Sequence, residues 1–328
     1  MTIVVAGHYE NEIFFITDSA ITNNNKTLLS GFKKVYGIPI QLHVPLFVPY
    51  TFSHYIPFEG FKAECVFALS GSTLIGQHVI NSISEHLGKI RVIHSHTSSG
   101  LSMSLLRHCC ISQNPMYRPG YIEYDNTLYS PTNVYKAINK ENIIEIIEYS
   151  IQESFSSAFK HVCDDEGVNW LLENQFMFAV NCPKTQNNFL FKVVLKEDYE
   201  DGILKIKACC EEIKSGQLGV IGLTDNSSLT KQYLEKINNV YLENIRSEHC
   251  PLILLKLIED IVDNANAKGY RAVAKPIIYK KFDKFIEKSI MISRNSDWHL
   301  LDKDQITLKI IKASEHTIKQ YDLSEITT

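Results

Sequence analysis

Apolar and polar positions along this chain alternate in two rhythms, one of short strands and one of helices. Residues 3–8 (IVVAGH) and 13–17 (IFFIT) are apolar runs flanking the polar Tyr9-Glu10-Asn11-Glu12, which predicts two strands joined by a turn, with Asp18 at the end of the second. A strand-like run over 32–36 carries Lys33-Lys34, and 64–70 (ECVFALS) reads as a fourth strand ending in Gly71 and Ser72. The period then changes. With Ser72 or Thr73 as cap, LIGQHVINSISEHLGKI keeps its apolar residues on one face up to Gly88, and 141–163 repeats Ile and Phe at three and four, so both predict amphipathic helices. The runs QFMFAVNC, FLFKVVL, LKIKACCEEI and LGVIGL are separated by turn residues and predict a second antiparallel sheet. Helices over 229–242 and 251–268 and a strand within GYRAVAKPIIYKKF follow, an α+β order.

Two stretches break these rhythms. Residues 38–62 hold four prolines, many aromatics and almost no charge, which predicts an inserted loop packed as a lid over a cleft or against a partner, or one that finishes its own core. Residues 91–140 are rich in Ser, Pro, Gly, Tyr and Asn and read as a second, irregular insertion. After about residue 282, SIMISR, ITLKIIK and a polar tail read as added strands and a short helix.

Composition narrows the class. With 45% apolar and 21% charged residues among 328, the chain has enough core for a soluble globular protein of one large domain or two. A net charge of −4 without a basic stripe argues against nucleic acid as partner. No run of about eighteen apolar residues predicts a membrane helix, and the N-terminus lacks a basic secretory n-region, so the expectation is a cytoplasmic protein. Eight cysteines without CxxC spacing predict reduced thiols. His94, His96, His108 and Cys109 are the nearest approach to a metal set, but they lack paired-ligand spacing; the expectation is no metal and no cofactor.

The candidate chemistry begins at residue 2. If Met1 is trimmed, as is usual before a small residue, Thr2 carries a hydroxyl nucleophile and an α-amine base in one residue. That amine titrates near pH ~8, so at neutral pH a useful fraction can take the hydroxyl proton, directly or through one water. Asp18 follows sixteen residues after Thr2 and Lys34 thirty-two after it. An ammonium beside the hydroxyl would favour its ionised form, and a carboxylate would hold that ammonium. Adjacent strand residues face opposite ways, so only one of Lys33 and Lys34 can aim at Thr2, and spacing favours Lys34. Taken singly, the Asp–Lys pair reads as a solvated strand end worth under ~1 kcal/mol. The strand–glycine–helix join at Gly71 leaves backbone N–H groups unpaired, a ready oxyanion site or an ordinary strand-to-helix turn.

The ordered strings TIVVA, TDSA, SGFKKV and FALSGS, with those two spacings, resemble the proteasome-type N-terminal threonine hydrolases: proteasome β-subunits and their simpler bacterial ATP-dependent counterpart. The resemblance implies a four-layer αββα sandwich of the N-terminal nucleophile (Ntn) hydrolases over residues 1–282, two antiparallel sheets between helix layers, with insertions at about 38–62 and 91–140. Residues 283–328 would be a C-terminal extension packed on the same domain. It implies Thr2 as nucleophile, Lys34 and Asp18 as its tuning and orienting groups, and the Gly71 N–H as oxyanion donor. Leu69, with Ala20 and Thr22, would line the substrate pocket, Leu69 favouring apolar side chains.

The resemblance further implies a peptide or unfolded protein as substrate, a homo-oligomeric ring and an ATP-dependent unfoldase as partner. It weakens where Gly222-Leu223-Thr224-Asp225 stands for Gly-Ser-Gly, which lacks the serine that supports the α-amine, and where Asp263 and Asn266 stand for an aspartate with a serine three residues on. Two other readings stay open: a non-catalytic structural subunit, and an amidase acting on small molecules by the same N-terminal chemistry.

Overall fold

The computed structural model describes residues 2–23, 26–48, 51–97, 100–117, 126–161, 165–200, 203–223, 227–247, 249–270, 273–283, 286–294, 297–302 and 308–312. In chain order its strands and helices begin with β1 (Val4–Tyr9), β2 (Glu12–Thr17), β3 (Ile21–Asn23), β4 (Lys26–Leu29), β5 (Val35–Ile40), β6 (Leu42–Phe47), β7 (Phe52–Pro57) and β8 (Ala63–Ser70). Then come α1 (Thr73–Leu87), β9 (Ile90–Thr97), β10 (Gly100–Leu106), α2 (Pro131–Ala137), α3 (Lys140–Phe159) and α4 (Asp165–Leu172). The chain continues with β11 (Gln175–Asn181), β12 (Asn188–Glu200), β13 (Ile203–Ile213), β14 (Leu218–Ile221), α5 (Ser228–Asn244) and α6 (Cys250–Ala267). It ends in β15 (Ile277–Asp283), β16 (Ile286–Arg294), β17 (Asp297–Asp302) and β18 (Leu308–Lys312).

The result is an α+β fold of several sheets with helices packed on them. A seven-stranded sheet runs β14-β1-β2-β15-β16-β17-β18 and a five-stranded sheet β13-β12-β11-β8-β5, both antiparallel throughout. The two-residue alternation of β1 and β2 sorts their side chains onto two faces. Val4, Ala6, Ile13 and Phe15 meet Val66, Ala68, Met177 and Ala179 of the other sheet, while Ile3, Val5, Phe14 and Ile16 pack under α5 and α6. The outer face of the five-stranded sheet, with Phe67, Phe176 and Phe178 in ring contact, lies under α1 and α3. Each such fully buried aromatic or branched side chain contributes about 1.5–3 kcal/mol of hydrophobic stabilisation, so both faces of the central strands are anchored.

Caps set where the helices start. Ser72 accepts the Ile75 N–H at the start of α1, and Asn139 forms a reciprocal capping box with Asn142 at the start of α3. Among the described residues no helix is long and apolar enough to cross a membrane.

Several expectations change. Where it is described, the 38–62 stretch is mostly strand rather than loop. Its first residues complete β5, and β6 and β7 join β9 and β10 in a separate four-stranded sheet ordered β10-β9-β6-β7, with β6 and β9 parallel. Three of the prolines, those among the described residues, stand where a missing N–H need not break a ladder. Pro39 is on β5 and Pro57 on β7, both edge strands, and Pro45 lies beyond the short Leu42–His43 register that β6 shares with β9. The 91–140 stretch is also ordered where it is described, as the β9–β10 hairpin and α2.

LGVIGL does not extend the second sheet. As β14 it pairs with β1, Val4 opposite Ile221. The β3–β4 hairpin, α2 and α4 are further elements that the sequence pattern does not predict. The strand expected over 32–36 begins only at Val35. The polar tail beyond 312 and residues Thr224 and Asp225 lie outside the described residues.

Candidate functional site

The open end of the β1–β2 hairpin is closed by one side chain. At the end of β2 the Asp18 N–H donates to the Ile3 carbonyl at 3.1 Å, and Asp18 Oδ1 accepts the Ile3 N–H at 2.8 Å, so two bonds fix the residue next to Thr2. Asp18 Oδ2 accepts the Ala20 N–H at 3.0 Å, turning the chain out of the sheet. The Phe32 N–H to Ser19 carbonyl bond at 3.0 Å and the Gly31 N–H to Ser19 Oγ bond at 3.1 Å then draw the 31–34 segment back over that turn.

There Lys34 Nζ lies 2.8 Å from Asp18 Oδ1 and donates to Thr2 Oγ1 at 3.3 Å. The side chains of Asp18 and Lys34 are 0% and 4% exposed, so the pair interacts with little solvent screening, and the carboxylate is satisfied by two N–H groups and an ammonium. Lys33, the neighbour, points away and sits over the Tyr36 ring.

The Lys34 carbonyl accepts the Leu69 N–H at 3.1 Å, which sets β8 so that its end, Gly71, opens into the same cleft. Gly71 holds φ +114, a conformation side chains rarely adopt, and an added Cβ would stand 2.6 Å from Asn174 Oδ1. Among the described residues no hydrogen bond occupies the Gly71 N–H. The cleft is about 340 Å³, and Thr2, Lys34, Leu69 and Gly71 line it together with Ala20 and Thr22.

Two amides that sequence reasoning passed over hold this arrangement. Asn174 is buried just before β11; its Oδ1 accepts the Ser72 N–H at 2.8 Å while its Nδ2 donates to the Trp170 and Leu171 carbonyls at 3.1 and 2.9 Å. Gln175 Oε1 accepts the Gly222 N–H at 2.8 Å, and the Gly222 carbonyl takes the Thr2 N–H at 3.2 Å. Adjacent residues thus fix the Gly71 turn on one side and Thr2 on the other. The available signal was a polar Asn-Gln pair immediately ahead of the apolar run FMFAV. Replacing Asn174 by Ala removes the bond that holds the Gly71 turn; on the hydrolase reading proposed below it is expected to lower turnover about 10²-fold with a smaller effect on substrate binding, which steady-state kcat and KM on one peptide check.

Asp263 and Asn266 lie elsewhere. Asp263 Oδ2 pairs with Lys275 Nζ at 2.8 Å, Asn266 is exposed on the last turn of α6, and neither lines the cleft. His94 hydrogen-bonds Tyr129. Among the described residues no group of three or more His, Cys, Asp or Glu is placed to hold a metal ion.

No protein-family profile matches the chain, and no curated protein sequence matches it. Solved structures do show similarity. A Gly-1 mutant of Anbu from Hyphomicrobium sp. strain MC1 is 15% identical at a TM-score of 0.45, over 93% of this chain and 89% of that one. Anbu, the ancestral β-subunit, from Yersinia bercovieri is 11% identical at 0.44, over 89% and 87%. The Anbu complex from Pseudomonas aeruginosa, solved as a helical assembly, is 10% identical at 0.43, over 92% and 88%. This chain is therefore similar in structure to Anbu over most of its length, at low sequence identity.

Proposed function

We propose that the chain, once Met1 is removed, is a threonine-type peptide hydrolase with Thr2 as its nucleophile. The observation that carries the reading is the Lys34 ammonium bridging Thr2 Oγ1 and the buried Asp18 carboxylate. The core between the two sheets, together with the two cores between sheets and helices, supports an αββα sandwich of the Ntn hydrolases.

In the mature chain the Thr2 nitrogen would be the α-amine, held by the Gly222 carbonyl within reach of its own hydroxyl. The amine takes the hydroxyl proton, directly or through water, as Oγ1 attacks the scissile carbonyl. Lys34 stabilises the developing alkoxide, Asp18 holds Lys34, and the Gly71 N–H faces the carbonyl oxygen as it becomes an oxyanion. The amine returns the proton to the leaving nitrogen, an acyl ester remains on Thr2, and water attacks that ester with the amine again as base. No metal is needed for any of these steps.

A non-catalytic subunit is the competing reading, favoured by the position of Asp263 and Asn266 outside the cleft. Hydrolysis of an unfolded protein substrate by the mature chain separates the two: the account expects turnover that Thr2→Ser retains in part and Thr2→Ala abolishes. No turnover by the mature wild-type chain contradicts it. The ring and the ATP-driven unfoldase belong to the same proposal, and mass photometry of the mature chain reads the first of them.

A further inference from the structure

The cleft beside Thr2 holds one charge that its own walls do not answer. Lys34 is paired with Asp18, but among the described residues the Glu173 carboxylate, which lines the same cleft, has neither an ion pair nor a hydrogen bond. Trp170 lines it too and leaves 45% of its surface to solvent, and Leu74, on the first turn of α1, leaves 79%. A tryptophan face, an unpaired carboxylate and an aliphatic contact around one small cleft form a receptor for a long cationic side chain.

The backbone locks that receptor to the reactive centre. The Asn174 side chain takes the Trp170 and Leu171 carbonyls with one end and the Ser72 N–H with the other, so the segment carrying Trp170 and Glu173 cannot shift without moving the Gly71 turn. Leu69 has less influence on selection than its position suggests. It is 4% exposed, and its methyl carbons press on Gly76, where an added Cβ would meet them at 3.0 Å.

We infer that the cleft selects peptides that place an arginine side chain in it, over leucine and over glutamate, the guanidinium lying on the Trp170 indole and paired with Glu173. Arginine fits better than lysine because its planar fork can stack and pair at once. This rests on the reading of Thr2 as nucleophile, and it sets the substrate class for that site.

The test uses three otherwise identical fluorogenic peptides with Arg, Leu or Glu before the scissile bond, and the same sequences as uncleaved peptides binding the Thr2→Ala chain. Expected is a preference for Arg of about tenfold or more in kcat/KM and in affinity. Glu173→Gln should lower the Arg peptide about tenfold and leave Leu within about twofold, Glu173→Lys should favour Glu over Arg, and Trp170→Ala should weaken Arg most. Equal binding of the three peptides, no binding, or a Glu173→Gln loss that is the same for all overturns the inference. Arg-selective binding without hydrolysis would support the receptor and remove the hydrolase reading; hydrolysis without selectivity would do the reverse.

Discussion

Replacing Lys34 by Met in the mature chain is expected to lower kcat/KM for peptide hydrolysis about 10²–10³-fold, the size of loss that follows removal of one preorganised donor to developing negative charge. The same change also destabilises the fold, because it leaves the buried Asp18 carboxylate without its ammonium, but by less than loss of the carboxylate does, since Asp18 keeps the Ile3 and Ala20 N–H donors. Asp18→Ala behaves differently. It leaves a lysine ammonium, 4% exposed, without its carboxylate, and it strips the Ile3 and Ala20 N–H groups of their acceptor, leaving only the backbone bond from the residue-18 N–H to the Ile3 carbonyl at the end of the hairpin. The expected destabilisation is about 3–5 kcal/mol, with activity lost alongside.

Combining Asp18→Asn with Lys34→Met removes both charges and returns much of the stability but none of the activity. Urea denaturation of the three variants, read beside kcat/KM, checks both parts. If Lys34→Met unfolds the chain as readily as Asp18→Ala does, the division of roles between the two residues is wrong.

Gly222→Ala is the second large effect, and it acts on Thr2 through its backbone rather than its hydroxyl. Gly222 sits at φ +92, and a Cβ there would fall 2.3 Å from the Thr2 carbonyl oxygen and 2.7 Å from its carbon. These are backbone atoms, so the contact is relieved only by moving Thr2. A displacement of an ångström at the reacting group costs on the order of 10²-fold in rate.

Gly269→Ala supplies the control. Its φ is +86, but nothing lies within 4 Å of its added Cβ. It should therefore lose about 1–2 kcal/mol of stability from left-handed strain and keep full activity. Equal activity losses in the two variants would show that strain alone, rather than the position of Thr2, governs the site.

Those contrasts explain what could be read from the sequence. Thr2, Asp18 and Lys34 are tied by two successive local hairpins, β1–β2 and β3–β4, so their relation is written as fixed spacing. Asn174 and Gln175 act across 102 and 47 residues, on Ser72 and Gly222, and no local pattern marks an amide that reaches so far. In 38–62 the prolines argued against strand, but a proline on an edge or past the end of a ladder loses no sheet bond. In β9 the run RVIHSHT has no alternation of apolar and polar residues and so shows no period of two, and the alternating LSMSLL of β10 stands among Ser-, Pro- and Asn-rich neighbours that read as irregular.

β14 was assigned to the wrong sheet because its pairing with β1 joins opposite ends of the fold, and side-chain alternation alone does not choose a partner strand. Asp263 enters the expected site only through the family resemblance; the helix turns its carboxylate to Lys275, where burial lowers the lysine pKa but the Asp263 hydrogen bond and Glu259 raise it above the ordinary value overall.

The most direct measurement is intact mass of the purified protein before and after a peptide epoxyketone, a reagent that closes a ring on a free threonine using its hydroxyl and its amine together. The account predicts loss of Met1, one adduct per chain, and no adduct in Thr2→Ala. A chain that has lost Met1, carries Thr2 and still takes no adduct contradicts the account, because the nucleophile and base would then be present without the reactivity that Lys34 and Asp18 are placed to confer.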